Sequence, residues 1–102
     1  MNRVVIITGS RRGLGEATAY QFAKCGYDVV INDKEDKTSI NRVVEKIKSE
    51  YGVEAIGILA DVSDEENVKN LLKTVDDKFG RIDVLVNNAA IVYDMDLEDR
   101  DS

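Results

Sequence analysis

Apolar and polar positions alternate in blocks along the chain, and the blocks predict four strands separated by three helices. Four short runs rich in β-branched residues have the composition of strands buried in a sheet. These runs span residues 4–7, 27–31, 53–60 and 82–86. Segments of helix-forming residues lie between them, at 14–25, at 38–51 and from Ser63 to about residue 79. The pattern therefore predicts a strict alternation of strand and helix.

The second and third predicted helices each carry one apolar stripe at the spacing i, i+3, i+4, i+7, which is typical of a single buried helix face. Ser63-x-x-Glu66 has the pattern of a capping box and predicts the start of the third helix. Gly52 and Gly80 are predicted to end the second and third helices. The stripes are Ile40, Val43, Val44 and Ile47 in the second helix, and Val68, Leu71, Leu72, Val75 and Phe79 in the third.

This alternation predicts an α/β fold with a parallel sheet, since parallel neighbours need a crossover connection. With right-handed crossovers the strand order is 3-2-1-4, the order of a Rossmann-type, doubly wound, three-layer fold. The first two helices then lie on one face and the third alone on the other. One face is half bare and the fourth strand has an open apolar edge, so we expect the front half of a larger, doubly wound fold.

Composition narrows the classes of protein. The chain has 102 residues, 43% of them hydrophobic, and a mean hydropathy of -0.28, which suits one globular domain. No apolar run approaches the ~20 residues of a membrane span, and Met1 leads into a strand without a signal-peptide pattern, so a cytoplasmic protein is expected. Histidine is absent and Cys25 is the single cysteine, which excludes an intrachain disulfide, a His-based triad and His metal ligands. Cys25 is expected to pack as a small apolar residue.

Charge is unevenly distributed along the chain. The net charge is -6, from 14 basic and 20 acidic residues. Arg11 and Arg12 are an isolated pair rather than a basic stripe, so nucleic acid is not an expected partner. Residues 1–90 are predicted to form the domain and residues 91–102 an acidic, mobile tail. The acidic residues of this tail are Asp94, Asp96, Glu98, Asp99 and Asp101.

The first predicted strand leads into Thr8-Gly9-Ser10-Arg11-Arg12-Gly13-Leu14-Gly15, in which three glycines separate strand from helix. These glycines keep Cβ atoms away from any ligand that approaches the backbone. Free N–H groups and the positive end of the following helix favour a phosphate. The turn predicts a site for the pyrophosphate of a dinucleotide, although the same glycines also fit a strand-to-helix turn that binds nothing.

Asp33 follows the second predicted strand, 18 positions after Gly15. An acid at about this spacing accepts hydrogen bonds from the adenosine ribose and repels a 2′-phosphate, which favours NAD over NADP. Arg12 and Lys34 indicate the opposite, because two cations near this site can hold a 2′-phosphate. Turn chemistry alone also explains an Asn-Asp-Lys sequence at a strand end.

Polar residues also follow the third and fourth predicted strands. Asp61 with Val62 can hold an adenine through an acceptor and an apolar contact, but Asp61 also fits a turn ahead of Ser63. Asn87 and Asn88 leave the fourth strand beside the switch point, where ligands bind in open α/β sheets. The two amides can fix neighbouring backbone and a ribose, or only terminate the strand.

Together, the glycine turn, the acid after the second strand, Asp61-Val62 and Asn87-Asn88-Ala89 resemble the motifs of the short-chain dehydrogenase/reductase family in order and spacing. The resemblance covers residues 3–90 and implies a single Rossmann domain that binds NAD(P). It also implies hydride transfer between the cofactor and an alcohol or ketone, with 3-oxoacyl compounds among the candidate substrates.

The same resemblance implies roles for individual residues around the cofactor. The glycine turn would contact the pyrophosphate and the adenosine side, Asp33 the ribose, and Asp61 with Val62 the adenine. Asn88 and Ala89 would lie near the nicotinamide-side ribose. The predicted cofactor-binding residues are Gly9, Ser10, Arg11, Arg12, Gly13, Leu14, Gly15, Asp33, Asp61, Val62, Asn88 and Ala89.

Two departures from the family pattern concern fit and activity. Ala90 stands where the family usually has glycine, which adds a methyl group close to the cofactor. The family's catalytic Ser, Tyr and Lys, the last two as Tyr-x-x-x-Lys, lie in the half of the family fold that follows these motifs. Tyr20-Gln-Phe-Ala-Lys24 has that spacing but lies in the first helix, which leads away from the cofactor at ~1.5 Å per residue. No catalytic residue is therefore predicted, and residues 1–102 alone are expected to be inactive.

An interaction module is the alternative function. On this hypothesis the half-bare face and the open edge of the fourth strand recruit a second copy or a complementary chain, because a large apolar patch in water favours association. Nucleotide binding would then be vestigial or regulatory.

Overall fold

Four strands and three helices alternate along the chain, as the sequence pattern predicts. The structure, a computed structural model, describes residues 2–9 and 13–87. The elements are β1 (Val4–Thr8), α1 (Gly13–Lys24), β2 (Asp28–Asp33), α2 (Lys37–Tyr51), β3 (Ala55–Leu59), α3 (Glu65–Phe79) and β4 (Val84–Asn87). The predicted acidic tail lies outside the described residues.

The four strands form one parallel sheet in the order β3-β2-β1-β4, which confirms the predicted topology. Within this sheet β1 is central. Its Val5 pairs with Val29 of β2 on one side and with Val84 of β4 on the other. All side chains of β1 and β2 are buried, as expected for parallel strands covered on both faces.

Each face of the sheet has its own apolar cluster, because successive strand residues point to opposite faces. We call the face under α1 and α2 the two-helix face, and the face under α3 the one-helix face. Every residue of the predicted α2 stripe is buried, whereas only Leu71 and Val75 are buried in α3. The one-helix cluster consists of Val4, Ile6, Val30, Leu71 and Val75, with Ile56, Ile58, Val62, Leu72, Phe79 and Leu85 partly buried around it.

The second strand is longer than its apolar run predicts. It continues through Asn32 and Asp33, which pair with Ile58 and Leu59 of β3 and are both buried. The Asn32 amide donates to the carbonyls of Ile58 at 3.1 Å and Ala60 at 3.2 Å. These polar residues extend the sheet because parallel pairing and side-chain hydrogen bonds satisfy them.

The predicted capping box at the start of α3 is wrong. The N-cap is Asp64, whose carboxylate accepts the N–H of Glu66 at 2.9 Å. The Ser63 hydroxyl donates instead to Asp61 Oδ1 at 2.6 Å, and its N–H donates to the same oxygen at 2.9 Å. Because the charged Asp61 acceptor engages Ser63, the helix begins one residue later than the pattern predicts.

Both long helices end as predicted, and Cys25 does not pack as predicted. Gly52 and Gly80 adopt the left-handed conformation directly after α2 and α3. Cys25 lies one residue beyond the last residue of α1 and is exposed. The buried positions of α1 are Gly15, Ala19 and Ala23, and Cys25 lies two residues after Ala23, on the opposite side of the helix, so the expectation of a packed thiol is corrected.

Helix α2 lies close to the sheet at Gly57 of β3, on the two-helix face. A Cβ placed on Gly57 would overlap Ile40 of α2 and contact Val44 at 3.5 Å. The absence of a side chain therefore allows α2 to lie directly on β3.

Two carboxylates hold the amino edge of the sheet, opposite the edge where ligands bind in open α/β sheets. Asp28 Oδ1 accepts the N–H of Glu54 and the Asn2 amide, both at 3.0 Å. Asp83 Oδ2 accepts the Val4 N–H at 2.8 Å. Hydrogen bonding by Arg81 and by the Val4 N–H lowers the pKa of Asp83. These bonds fix the strand register that positions the carboxyl edge.

Candidate functional site

The carboxyl ends of β1, β2 and β4 meet at one edge of the sheet, on either side of the strand where the chain changes direction. From β1 the chain passes through α1 to β2 on one side, and β1 pairs with β4 on its other side. A crevice at such a topological switch point is the usual ligand site of open α/β sheets.

Gly9 begins the turn that leaves β1. Its φ is 64°, a conformation that residues with a Cβ rarely adopt. Gly13 starts α1 and Gly15 is buried in its first turn, so the amino end of α1 follows the turn directly. Ser10, Arg11 and Arg12 lie outside the described residues. The described part of this segment has the glycine conformation and the helix start that an anion site needs.

Thr8, the last residue of β1, joins β1 to β4 at this edge. Its hydroxyl donates to Asn87 Oδ1 at 3.0 Å, and Thr8 pairs with Asn87 in the sheet. Asn87 therefore contacts the Thr8 side chain, and its predicted role in fixing neighbouring backbone stays a prediction. Asn88 and Ala89 lie outside the described residues. Sequence reasoning did not include Thr8 as a functional residue, although its position directly before Gly9 was the available signal.

Asp33 lies at the carboxyl end of β2 and is buried. Its Oδ2 accepts the N–H groups of Glu35 at 3.0 Å and Asp36 at 2.8 Å. This is the turn chemistry that the sequence left open as an alternative. The turn role of Asp33 is thus observed, while its contact with a ribose stays a prediction.

Asp61 and Val62 follow β3 at the same edge. Asp61 holds the turn before α3 through Ser63, and hydrogen bonding by Ser63 lowers the pKa of Asp61. Lys34 Nζ lies 4.0 Å from Asp61 Oδ2, which links the turns after β2 and β3. The turn role of Asp61 is thus observed, while its contact with an adenine stays a prediction.

Val62 belongs to an apolar groove between α3 and β4. This groove extends from the one-helix face to the carboxyl edge, because two of the residues that line it are the hydrogen-bonded pair at the ends of β1 and β4. The lining residues are Thr8, Val62, Val68, Leu71, Leu72, Leu85 and Asn87.

The Tyr20-x-x-x-Lys24 sequence has a structural role on α1. The Tyr20 hydroxyl donates to Glu16 Oε2 at 2.6 Å, and its ring stacks on Tyr51 of α2 with centroids 6.0 Å apart. Burial and the Glu16 carboxylate raise the pKa of Tyr20 far above its usual value. A catalytic phenol needs a lowered pKa, so the geometry argues against an acid/base role for Tyr20.

Neither a metal centre nor a membrane span is found in the part of the chain that the structure describes. Residues 2–9 and 13–87 contain no group of three or more acidic or cysteine side chains arranged to hold a metal ion. In the same residues no helix is sufficiently long and apolar to cross a bilayer.

The sheet order, the helices on both faces and the glycine turn at the switch point define a Rossmann-type α/β protein. A family model for short chain dehydrogenases matches residues 3–102. The chain belongs to this family. The match extends past residue 90, where the recognised motifs end, and the predicted domain boundary there stays a prediction.

Curated relatives are similar over nearly the whole chain. A 3-oxoacyl-[acyl-carrier-protein] reductase of Staphylococcus epidermidis is 44% identical over 94 residues, covering 92% of this chain and 38% of the relative. A reductase of the same name from Synechocystis is 45% identical over 102 residues, covering 95% of this chain and 41% of the relative. The chain thus spans about two fifths of the length of these proteins.

Solved structures match the fold closely. L-Sorbose reductase from Gluconobacter frateurii, in complex with NADPH and L-sorbose, has a TM-score of 0.82 and 33% identity, over 90% of this chain and 35% of that structure. A xylitol dehydrogenase with bound NAD+ has a TM-score of 0.81 and 31% identity, over 87% of this chain and 34% of that structure. One neighbour therefore contains NADPH and the other NAD+.

Proposed function

We propose that this chain binds a nicotinamide dinucleotide and is the cofactor-binding part of a short chain dehydrogenase. The observation that carries the proposal is Gly9, whose φ of 64° follows β1 directly, at the same carboxyl edge of the sheet where β2 ends with the buried Asp33. Family membership and the dinucleotides in two neighbouring structures support it.

Each described residue at the edge has a binding role in this proposal. The amino end of α1 and the Gly9 turn bind the pyrophosphate, because the helix dipole and free N–H groups favour an anion. Asp33 accepts hydrogen bonds from the adenosine ribose, and Asp61 with Val62 borders the adenine. Thr8 and Asn87 hold the ends of β1 and β4 at a fixed separation under the cofactor.

Ser10, Arg11, Arg12, Gly13, Leu14, Gly15, Asn88 and Ala89 complete the proposed cofactor site. The bound cofactor supplies or accepts the hydride, and the reaction interconverts an alcohol and a ketone. A 3-oxoacyl compound is the proposed substrate class, supported by the names of the two reductase relatives. We propose that the acid/base groups are not supplied by residues 1–102, and that the protein acts in the cytoplasm.

We propose NAD as the preferred cofactor. A buried carboxylate at the end of β2 favours the two ribose hydroxyls of NAD and repels the 2′-phosphate of NADP. Lys34 is one of the cations that would favour NADP, and it lies 4.0 Å from Asp61, whose charge offsets part of its own. NADP is the alternative, and the neighbour with NADPH supports it.

Calorimetric titration with NAD and NADP tests the proposal. Gly9→Ala should weaken binding at least about tenfold, since a Cβ at this φ strains the turn by about 1–2 kcal/mol and approaches the pyrophosphate. Gly52→Ala is the matched control, because Gly52 has a φ of 69° with open space around it and lies after α2. Equal effects of the two changes, or no binding by the unmodified protein, would contradict the proposed function.

Asp33→Asn tests the cofactor preference separately. Asparagine keeps an acceptor for the Glu35 and Asp36 N–H groups and removes only the charge. We expect NADP binding to tighten by roughly three- to tenfold while NAD binding weakens. Unchanged affinities for both cofactors would show that Asp33 serves the turn alone.

A second proposal is supported by β4. All three of its apolar side chains, Val84, Leu85 and Val86, are only half-buried, and within residues 2–9 and 13–87 β4 pairs with β1 alone. On this proposal a second copy or a complementary chain covers this edge. Sedimentation at micromolar concentration tests it, since a stable monomer would contradict self-association.

A further inference from the structure

The first turn of α1 carries an acidic residue, Glu16, at the helix end that the proposed function gives to the pyrophosphate. A carboxylate is favourable beside the positive end of a helix dipole, but it also repels a second anion that binds there. Glu16 lies three residues after Gly13, about 4.5 Å along the helix axis at ~1.5 Å per residue. Both residues lie in the first turn of α1, and repulsion between charges closer than the Debye length of about 8 Å at physiological salt is only partly screened.

The structure neutralises this carboxylate from the neighbouring helix. Arg42 of α2 donates two hydrogen bonds, Nη2 to Glu16 Oε1 at 3.1 Å and Nη1 to Oε2 at 3.2 Å. The Tyr20 hydroxyl donates a third hydrogen bond to Oε2 at 2.6 Å. Bidentate pairing with a guanidinium fixes both the charge and the orientation of a carboxylate. The Glu16 carboxylate is therefore held by Arg42 of α2.

The charges around Glu16 are consistent with a fully ionised, paired acid. Hydrogen bonding by Arg42, and then by Tyr20, lowers the pKa of Glu16. Lys46 of α2 adds a second positive charge, and its Nζ lies over the Tyr20 ring, 5.0 Å from the centroid. At neutral pH this cluster couples one carboxylate to two cations of α2.

We infer that Arg42 is a positioning residue for the dinucleotide: it pairs with Glu16 and thereby leaves the positive end of α1 available to the pyrophosphate. The inference rests on the proposed function. Arg42 touches no part of the cofactor in this scheme and acts only through Glu16. The competing explanation is that the pair of Arg42 and Glu16 only holds α1 against α2. The two explanations differ in the effect of Glu16→Gln on affinity, which is kept or raised if Arg42 is a positioning residue and lowered if the pair is only a structural clamp.

The experiment is a double-mutant cycle with Arg42→Gln and Glu16→Gln, using ADP and NAD as probes in calorimetric titrations. Arg42→Gln should weaken binding of both probes about three- to tenfold, because it exposes the Glu16 charge. Glu16→Gln should bind as tightly as the unmodified protein or more tightly, because it removes the anion and releases a cation. The double variant should return close to the unmodified affinity.

Salt and a matched ion pair provide the controls. The ratio of the affinities of Arg42→Gln and the unmodified protein should approach one as NaCl rises, since the effect is electrostatic. Lys73→Gln removes an exposed pair with Asp77 on α3, at 3.4 Å, and should leave binding unchanged.

The outcomes separate this inference from the proposed function. A double variant as weak as Arg42→Gln, or an Arg42→Gln affinity equal to that of the unmodified protein, would overturn the positioning role and leave cofactor binding intact. A loss of affinity in Glu16→Gln would favour the structural clamp and would also overturn the positioning role of Arg42. Failure of the unmodified protein to bind both ADP and NAD would overturn the proposed function, and this inference with it.

Discussion

The two faces of the sheet use the same strands but are covered to different extents. On the two-helix face, α1 and α2 together bury the side chains of β1 and β2, and α2 reaches β3 at Gly57. On the one-helix face, α3 buries the central residues Val4, Ile6 and Val30, whereas the flanking residues Ile56, Ile58 and Leu85 stay half-buried. One helix therefore covers the central strands and leaves the flanks partly open.

This difference shows where apolar side chains stay partly exposed. The edge strand β4 is half-buried on both faces, since Val84 and Val86 belong to the two-helix face and Leu85 to the one-helix face. The proposed cofactor edge, by contrast, lies at the end of the best buried strands, β1 and β2. Rigid strands thus support the turn, while the surface available for association lies beside it.

The largest expected effect comes from matched truncations on the two faces. Ile47→Ala removes three carbons from a fully buried position of α2 and should cost about 2–5 kcal/mol of unfolding free energy. Leu72→Ala removes the same number from a half-buried position of α3 and should cost about 1 kcal/mol. Urea unfolding measures both. Equal costs would mean that the one-helix face is covered in solution as fully as the other.

Gly57→Ala tests how tightly α2 lies on β3. The added Cβ overlaps Ile40, so we expect a loss of about 1–3 kcal/mol in unfolding free energy. In an Ile40→Ala background the same change should cost at least about 1 kcal/mol less, because the conflicting atoms are gone. Additive costs in a thermal denaturation cycle would show that the cost of Gly57→Ala does not come from overlap with Ile40.

The smallest effect concerns polar contacts. On the two-helix face Glu16 joins α1 to α2, whereas Asp77 pairs within α3 alone. Because the folded pKa of Glu16 lies below its unfolded value of about 4.3, its stabilisation is present above that pH and is lost as pH falls through the folded pKa.

Its size should stay below about 1 kcal/mol, because Arg42 is 58% exposed and solvent screens the pair. The free energy of unfolding, measured from pH 6 to pH 3, should therefore fall less steeply in Glu16→Gln than in the unmodified protein. If Glu16→Gln leaves this slope unchanged, the contact of Glu16 with Arg42 does not stabilise the folded protein in solution.

The fold could be predicted from the sequence because its signals are local. β-branched runs, the α2 stripe and the glycines after α2 and α3 each act within one element, and right-handed crossovers then fix the sheet order. The strand ends were less predictable. The polar residues Asn32 and Asp33 predict a loop. They belong to β2 instead, because they pair with β3 and the Asn32 amide is buried and hydrogen-bonded. The predicted cap of α3 was wrong for a related reason, because the Asp61 carboxylate binds Ser63.

The candidate site was predictable only in part. Gly9 was singled out because it belongs to the glycine-rich turn between a strand and a helix, and Asp33 because of its distance from that turn. The two hydrogen bonds of Asp33 to the following N–H groups confirm the turn interpretation, and its contact with a ribose stays a proposal. The contact of Glu16 with Arg42 joins residues 26 apart on different helices, so no local spacing signals it. Tertiary packing decides such contacts.

The pairing of β1 with both neighbours sets an order of assembly. β1 meets β2 across about 24 residues but meets β4 across 79, as the contacts of Arg3 with Tyr27 and of Val4 with Asp83 illustrate. Closing the longer segment costs about 1 kcal/mol more in chain entropy, and during synthesis β4 emerges last. The Asp33 loop can therefore form before the bond between Thr8 and Asn87, which requires β4 to be in place.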